Sequence, residues 1–423
     1  MINNPLNQNT AFIKTKKKPA IIFTLLYIAY FICYVDRSSI NIALSYIGKD
    51  FHLSDSALGV VGSAFFLGYA LMQIPGGWLA DKFGSKLMII IAFTSWSIFT
   101  IFTGFAWSLA SLLVIRLFFG ICEGPFPSSE TRLLGITFPY KHRSLATSGM
   151  FSSEMLGAAV APLIVAPLIG VLGWRISFHT IGVIGLIYIL VFYFFLRPIR
   201  EGGQNYKDAF KSKHIPLKET LKSVLIWQFF LIILGMGMVQ KALDIWLPTY
   251  LLRARHIDLA GVAWLAPLGP LAGGIAAVIL GFVMHKYFKH YEKWLLAGNT
   301  LLTTLCMFGM YHSKALSSVI IFEILGYCFA MASFACTKAF LTQLIKKDAY
   351  GTTVGVVNFS GQLAGFIAPS LIGVLVQLID FSAGFLLLVF AGGLSFIACL
   401  TLSKKEVVSK RKASINDSKR PFV

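Results

Sequence analysis

The sequence predicts an all-α integral membrane protein with twelve transmembrane helices in two six-helix halves. Three observations lead there: a shortage of ions, uncharged runs long enough to cross a bilayer, and one polar stretch in the middle of the chain. Of the 423 residues 57% are hydrophobic and only 13% are charged, whereas a soluble domain carries about 25% charge. Most of the surface must therefore face something other than water. The 37 Lys and Arg outnumber the 18 Asp and Glu and leave a net charge of +19, which alone would suit a nucleic acid or an anionic lipid surface. The 37 Phe, 15 Tyr and eight Trp fit helices packed in lipid better than a DNA-binding face.

A helix needs about 20 apolar residues to cross the hydrocarbon core. No charged residue falls between Lys86 and Arg116, between Asp348 and Asp380, or between Asp380 and Lys404. With Gly, Pro and charge clusters as punctuation, the predicted spans are 20–47, 56–80, 86–105, 108–136, 143–172, 175–196, 223–252, 259–284, 292–311, 316–345, 350–378 and 381–402. An even number places both termini on one side. That side carries 27 of the Lys and Arg, the opposite side five, and the spans themselves five. By the positive-inside rule the basic side, with both termini, is cytoplasmic. The whole excess of +19 then resides on that side, as an orientation signal and a contact for anionic inner-leaflet headgroups. It says nothing about substrate.

The Lys14–Lys18 cluster before an apolar run has the look of a secretory signal. The run is too long for one, and no small-residue cleavage site follows, so it reads as the first span. Cys33, Cys122, Cys306, Cys328, Cys336 and Cys399 all lie in apolar spans with no Cys-x-x-Cys pair, which suits core packing and gives no disulfide or metal set.

Residues 197–222 form the longest polar interior stretch, with seven Lys and Arg. They divide the chain into a cytoplasmic N-tail (1–19), an N-terminal six-helix bundle (20–196), a basic linker (197–222), a C-terminal six-helix bundle (223–402) and a basic C-tail (403–423). A weak echo links the halves. Gly77-Trp-Leu-Ala-Asp81-Lys82 and Gly281-Phe-Val-Met-His285-Lys286 both place a glycine four residues before a polar residue followed by Lys. Repeated halves with a site at their interface are the layout of a secondary transporter.

The loop with Gly77, Asp81, Lys82, Gly84 and Lys86 resembles the signature loop of the major facilitator superfamily. Tyr34-Val-Asp36-Arg37, Gln73-Ile-Pro75-Gly-Gly-Trp78, Arg116 with Glu123-Gly-Pro125, and Trp246-Leu-Pro-Thr-Tyr250 are similar to motifs of its anion:cation symporter branch, above all the sugar-acid and organic-anion:proton symporters. The likeness covers about residues 20–400 and implies the two-bundle fold, with the signature loop as a conformational latch. His285 stands where that family commonly has an acid.

Ions inside the spans carry the functional information, since a charge at the bilayer centre costs at least about 2.5–3.5 kcal/mol. Arg116, Glu123 and Glu130 are spaced by seven and share one face of span four. Glu123 lies near mid-span, so it must face a polar cavity or be protonated, the property that proton coupling needs; a purely structural Arg116–Glu123 pair is the plain alternative. Asp36 and Arg37 point about 100° apart on a helix and so serve two neighbours. The resemblance implies that Asp36 takes the proton and Arg37 holds a substrate anion. It also implies substrate contacts from Tyr34, Tyr69 and Asn358. Glu154 stands where sugar-acid symporters tend to have Gln. It is either a contact or a second titrating group. Lys241 can pair with Asp244 three residues on or bind an anion, and Lys338 can reach the interface on its long stem or do the same.

The function expected is proton-coupled symport of a small organic anion, a sugar acid or other carboxylate, by a non-enzymatic monomer in the plasma membrane. Asp36 and Glu123 would be the proton sites, with Arg116 as their charge partner and no cofactor beyond the proton. Dicarboxylate or organophosphate antiport, anion export and a transporter-like sensor are the alternatives. No nucleotide-binding glycine loop stands in an accessible context, which argues against ATP drive.

Overall fold

The computed structural model describes residues 17–196, 221–287, 291–344 and 347–402. Nearly all of the linker and the tails fall outside these residues. The described chain is helical: α1 (Lys17–Asp50), α2 (Asp55–Phe83), α3 (Ser85–Gly104), α4 (Leu109–Glu123), α5 (Phe126–Thr137), α6 (Tyr140–Leu196), α7 (Val224–Arg253), α8 (Leu259–Leu265), α9 (Leu268–Tyr287), α10 (Glu292–His312), α11 (Leu316–Leu344), α12 (Lys347–Leu378) and α13 (Phe381–Thr401). Ten stretches are long and apolar enough to cross a membrane. One of them holds both arms of α6, and α10 supplies the twelfth span.

Local chemistry sets the helix ends. Ser54 caps α2 by accepting from the Ala57 amide, and Asp258 and Asp380 cap α8 and α13 by accepting from the amides of Gly261 and Ala383. Ser108 and Ser111 form a reciprocal cap at the start of α4, satisfying donors the helix leaves open. Helices α2 and α3 meet at Gly84, whose φ of 91° suits a residue without Cβ.

Three predicted boundaries change. Span four is two helices, because Pro125 has no amide to continue the ladder from Glu123. Span eight likewise breaks into α8 and α9 around Pro267. Spans five and six are the two arms of α6, which reverse at Gly173 with φ 75°. Ser153 on one arm donates to the Tyr27 carbonyl and Tyr188 on the other donates to the Leu25 carbonyl. Both arms thus reach the same end of α1, as an antiparallel hairpin requires.

With little hydrophobic drive between helices in lipid, small residues permit close backbone contact. Helices α2 and α4 cross at a reciprocal glycine pair. A Cβ on Gly68 would lie 2.1 Å from the Leu117 carbonyl oxygen, and one on Gly120 would lie 2.1 Å from that of Phe65. Helices α2 and α12 join the two halves in the same way, since a Cβ on Gly59 would lie 2.3 Å from the Pro369 oxygen.

The halves are pinned together at the face remote from the termini. Asp55 on α2 pairs with Arg253 on α7, the Ser56 amide donates to Gln377 at 3.2 Å, and Ser370 donates to Ser63 at 2.8 Å. Toward the terminal face, Ser152 on α6, Lys338 on α11 and Asn358 on α12 are exposed. The structure is therefore a two-bundle fold closed at the remote face.

Gly120→Ala is expected to force α2 and α4 apart and lower the thermal unfolding temperature in detergent, whereas Gly135→Ala, where an added Cβ meets nothing within 4 Å, should leave it unchanged. Cysteines at Ser63 and Ser370 should form a disulfide under mild oxidation, and the cross-linked protein should be unable to open its remote face; reduction should restore opening, read by cysteine labelling from that side.

Candidate functional site

A cavity lies between the halves, lined by Tyr34, Arg37 and Arg116 on one side and by Lys241, Asp244 and Glu323 on the other, with Glu154 of α6 at its edge. Its walls come mainly from α1, α2 and α6 of the N-terminal half and from α7 and α11 of the C-terminal half, with Arg116 contributed by α4.

The N-terminal wall is built around Arg37, which is 8% exposed. Its guanidinium carbon lies 4.4 Å from the Phe65 ring centre, 5.1 Å from Phe66, 5.2 Å from Tyr69 and 5.4 Å from Tyr34. Rings on several sides replace part of the hydration a guanidinium loses on burial. Arg37 Nη1 is 3.5 Å from Glu123 Oε1. Asp36, the next residue back, points elsewhere and accepts from Thr100 of α3 at 2.5 Å. Arg116 lies over Phe119 at 4.6 Å and interacts electrostatically with both Asp36 and Glu123. Asp36 Oδ1, Glu123 Oε2 and Arg116 Nε are buried without a hydrogen-bond partner. Such polar atoms are costly; here two belong to Asp36 and Glu123 behind the cavity wall and the third to Arg116 in the wall itself.

The C-terminal wall is a second polar cluster. Lys241 Nζ is 3.7 Å from Asp244 Oδ2, the Tyr327 hydroxyl donates to Asp244 Oδ1 at 2.8 Å, and Gln240 donates to that hydroxyl at 3.3 Å. Lys241 also lies 5.7 Å from the Phe66 ring of the other half, so Arg37 and Lys241 both approach one aromatic ring of the cavity.

The sequence-predicted residues separate into layers. Tyr34, Arg37, Arg116, Glu154 and Lys241 line the cavity. Tyr34 donates its hydroxyl to Glu154 and stacks on Tyr30 at 5.6 Å. Asp36 and Glu123 are 2% exposed each and stand behind this wall, and Tyr69 is buried beneath Arg37. Lys338 and Asn358 are exposed and lie outside the lining; Lys338 reaches across to Phe151 of α6, 5.6 Å from its ring centre. The close ion pair of Glu123 is made with Arg37 of α1 and not with Arg116, the plain alternative raised above; Arg116 acts on both Asp36 and Glu123 as a nearby charge. Adjacent Asp36 and Arg37 do serve two neighbours, α3 and α4.

In the signature loop, Gly84 provides the positive φ, Lys82 lies over Trp78 at 4.8 Å, and exposed Asp81 meets Arg132 Nε at 3.5 Å. Arg132 also donates to the Ala80 carbonyl, tying the loop to α5. Gly77 faces Ser128 of α5, and Lys86 opens α3. Sequence reasoning assigned no role to Arg132, Thr100, Gln240, Tyr327 or Glu323. The available signals were the four-residue spacings of Gln240 to Asp244 and of Glu323 to Tyr327, which place each pair on one helix face.

Among the described residues, twelve spans around a central ionic cavity closed at one face define a membrane carrier. The chain belongs to the Major Facilitator Superfamily, whose family model matches residues 26–369, and it is a multi-pass, non-enzymatic transporter. It is 28% identical over 402 residues to a hexuronate transporter of Bacillus subtilis, covering 91% of this chain and 94% of the relative. It is also 28% identical over 415 residues to a D-galactonate transporter of Escherichia coli, covering 92% and 95%. Among solved structures, an inward-facing, occupied bacterial homologue of the human lysosomal transporter Spinster superposes with a TM-score of 0.78 at 19% identity, covering 96% of this chain and all of that one. That likeness is one of fold.

Breaking the buried pair at one end should be costly. Arg37→Met strands the Glu123 carboxylate and is expected to destabilise the protein by about 3–5 kcal/mol, and adding Glu123→Gln should return most of that loss. Detergent thermal-unfolding curves of the wild type, both single variants and the double variant measure the coupling.

Proposed function

We propose that this transporter carries a small organic anion of the sugar-acid class together with protons, by alternating access of the central cavity to the two sides of the plasma membrane, with both termini in the cytoplasm. The single observation behind this reading is that Arg37 lines the cavity while its Nη1 sits on Glu123. A substrate carboxylate arriving in the cavity competes with Glu123 for one guanidinium. Once Arg37 turns to the substrate, Glu123 is a buried carboxylate without its cation, a state that costs several kcal/mol. A proton on Glu123 removes that cost. The loaded carrier then holds neutral Glu123 and an Arg37–substrate pair, and the empty carrier holds the Arg37–Glu123 pair. Both keep the interior nearly neutral, which favours reorientation with the proton and substrate together or with neither.

Asp36 is the second proton acceptor, with Thr100 and Arg116 stabilising it once the proton leaves. Tyr34 and Glu154 at the cavity edge donate to and accept from substrate hydroxyls, and Tyr69 holds the guanidinium in register. Lys338 and Asn358, on the open side, contact the substrate when the halves close over it. The substrates of the two relatives, hexuronate and D-galactonate, support a polyhydroxylated monocarboxylate. A dianion exchanged by antiport is the second reading, favoured by the two cations, Arg37 and Lys241, that both line the cavity close to Phe66.

Purified protein in liposomes tests the first reading. The wild type should accumulate D-glucuronate or D-galactonate when the outside is acidic, and Glu123→Gln should retain substrate exchange while losing accumulation driven by the pH gradient. Concentrative uptake by Glu123→Gln at the wild-type level would refute the role of Glu123; dependence of all flux on a counter-substrate would favour antiport.

A further inference from the structure

We propose that Asp244 and Glu323 form a second proton-carrying site, in the C-terminal half of the same cavity, with Lys241 as the cation that moves between this site and the substrate. The proposal rests on the proton-coupled reading above and adds to it a coupling site that the Asp36–Glu123 layer does not contain.

Glu323 has no role so far. It is 1% exposed, lines the cavity, and its Oε2 is buried with no hydrogen-bond partner. Its carboxyl lies against Gly269 just after the break between α8 and α9. A Cβ at Gly269 would fall 2.0 Å from Glu323 Oε1, so a residue with any side chain would displace the acid. One helical turn along α11, Tyr327 donates to Asp244, and Asp244 is paired with Lys241. Asp244 is faced by Lys241 of α7, Tyr327 of α11 and, across the cavity, Arg37 of α1; Glu323 is faced by Asp244 and by Tyr327 and Cys328 of its own helix; Glu154 of α6 faces Lys241. Cys306 of α10 stands behind Cys328.

Charge balance sets the protonation. Asp244 and Glu323 line the same part of the cavity with one lysine, which pairs with Asp244, and two like charges sharing a site do not both ionise. The empty site is therefore neutral with one proton on the pair: Lys241 offsets one carboxylate, and the other carboxyl is protonated. When the substrate anion attracts Lys241, the remaining carboxylate has lost its countercharge in a dry wall and takes a second proton. On release the substrate leaves, Lys241 returns to Asp244, and that proton departs. Each turnover thus moves one proton through the C-terminal half, in parallel with Glu123.

The logic predicts that either carboxyl can carry the coupled proton when the other is an amide. Asp244→Asn and Glu323→Gln should each keep the coupling, and only the double variant should lose it. The double variant resembles the loaded, protonated site, so it should still exchange substrate. The measurement is the proton-to-substrate ratio in proteoliposomes, taken from the pH difference that just balances an imposed gradient of D-glucuronate or D-galactonate, whichever the wild type exchanges. The double variant should fall short by one proton, which lowers the accumulation limit about tenfold for each pH unit imposed. An unchanged ratio in the double variant, or loss of exchange by it, would overturn the proposal. A wild type without pH-driven accumulation would instead overturn the proton-coupled reading and this site with it, whereas a coupled wild type with an insensitive double variant removes this site alone.

Discussion

The buried ion pair of Arg37 and Glu123 constrains the rest of the molecule. Taking two charges out of water costs several kcal/mol each, and their attraction offsets that only when geometry and surroundings are favourable. The surroundings are built for it. Phe65, Phe66, Tyr69 and Tyr34 surround the guanidinium, and α4 ends at Glu123 with Pro125 just beyond. Gly76 fits against Pro125, where a Cβ would come within 2.6 Å of its Cα, so α2 can bring its aromatic residues close to the site. A pair that existed only for stability could be replaced by apolar side chains at little cost. The buried polar atoms left without partners on Asp36, Glu123 and Arg116 add a cost that the proton uptake proposed above would offset.

The same economy governs the interface between halves. Contact along α2 and α12 depends on glycines at the remote face, and ionic and hydroxyl contacts from Asp55 to Arg253 and from Ser63 to Ser370 close it. These polar contacts are individually modest, as partly exposed ion pairs generally are. A carrier that must open on both sides cannot have one face sealed by a large apolar surface, and small polar contacts that break and re-form are compatible with alternating access.

Much of the fold was legible because bilayer thickness fixes span length and the cost of a charge in lipid fixes where spans end. Charge-free runs such as 87–115 and 381–403 located helices, and the Gly77–Lys86 loop located the family. The helix breaks were not legible, although Pro125 and Pro267 caused both: Pro75, Pro162 and Pro369 lie inside continuous helices, and only tertiary packing distinguishes the two outcomes. At the site, Asp36, Arg37 and Glu123 stood out as ions at depth. Their partners did not, because pairing depends on how α1 rotates against α3 and α4. Thr100 and Tyr327 carry no charge and are indistinguishable from packing residues until Asp36 and Asp244 are seen beside them. Lys338 was visible as a charge, but only the tertiary arrangement of α11 and α6 shows that its ammonium extends toward Phe151 instead of into the cavity lining.

The central claim is that the substrate and Glu123 compete for Arg37. A structure of the protein with D-galactonate or D-glucuronate bound tests it most directly. The account predicts the substrate carboxylate on the Arg37 guanidinium, with Glu123 Oε1 moved beyond ion-pair distance. Substrate bound in the cavity with the Arg37–Glu123 pair intact would contradict it.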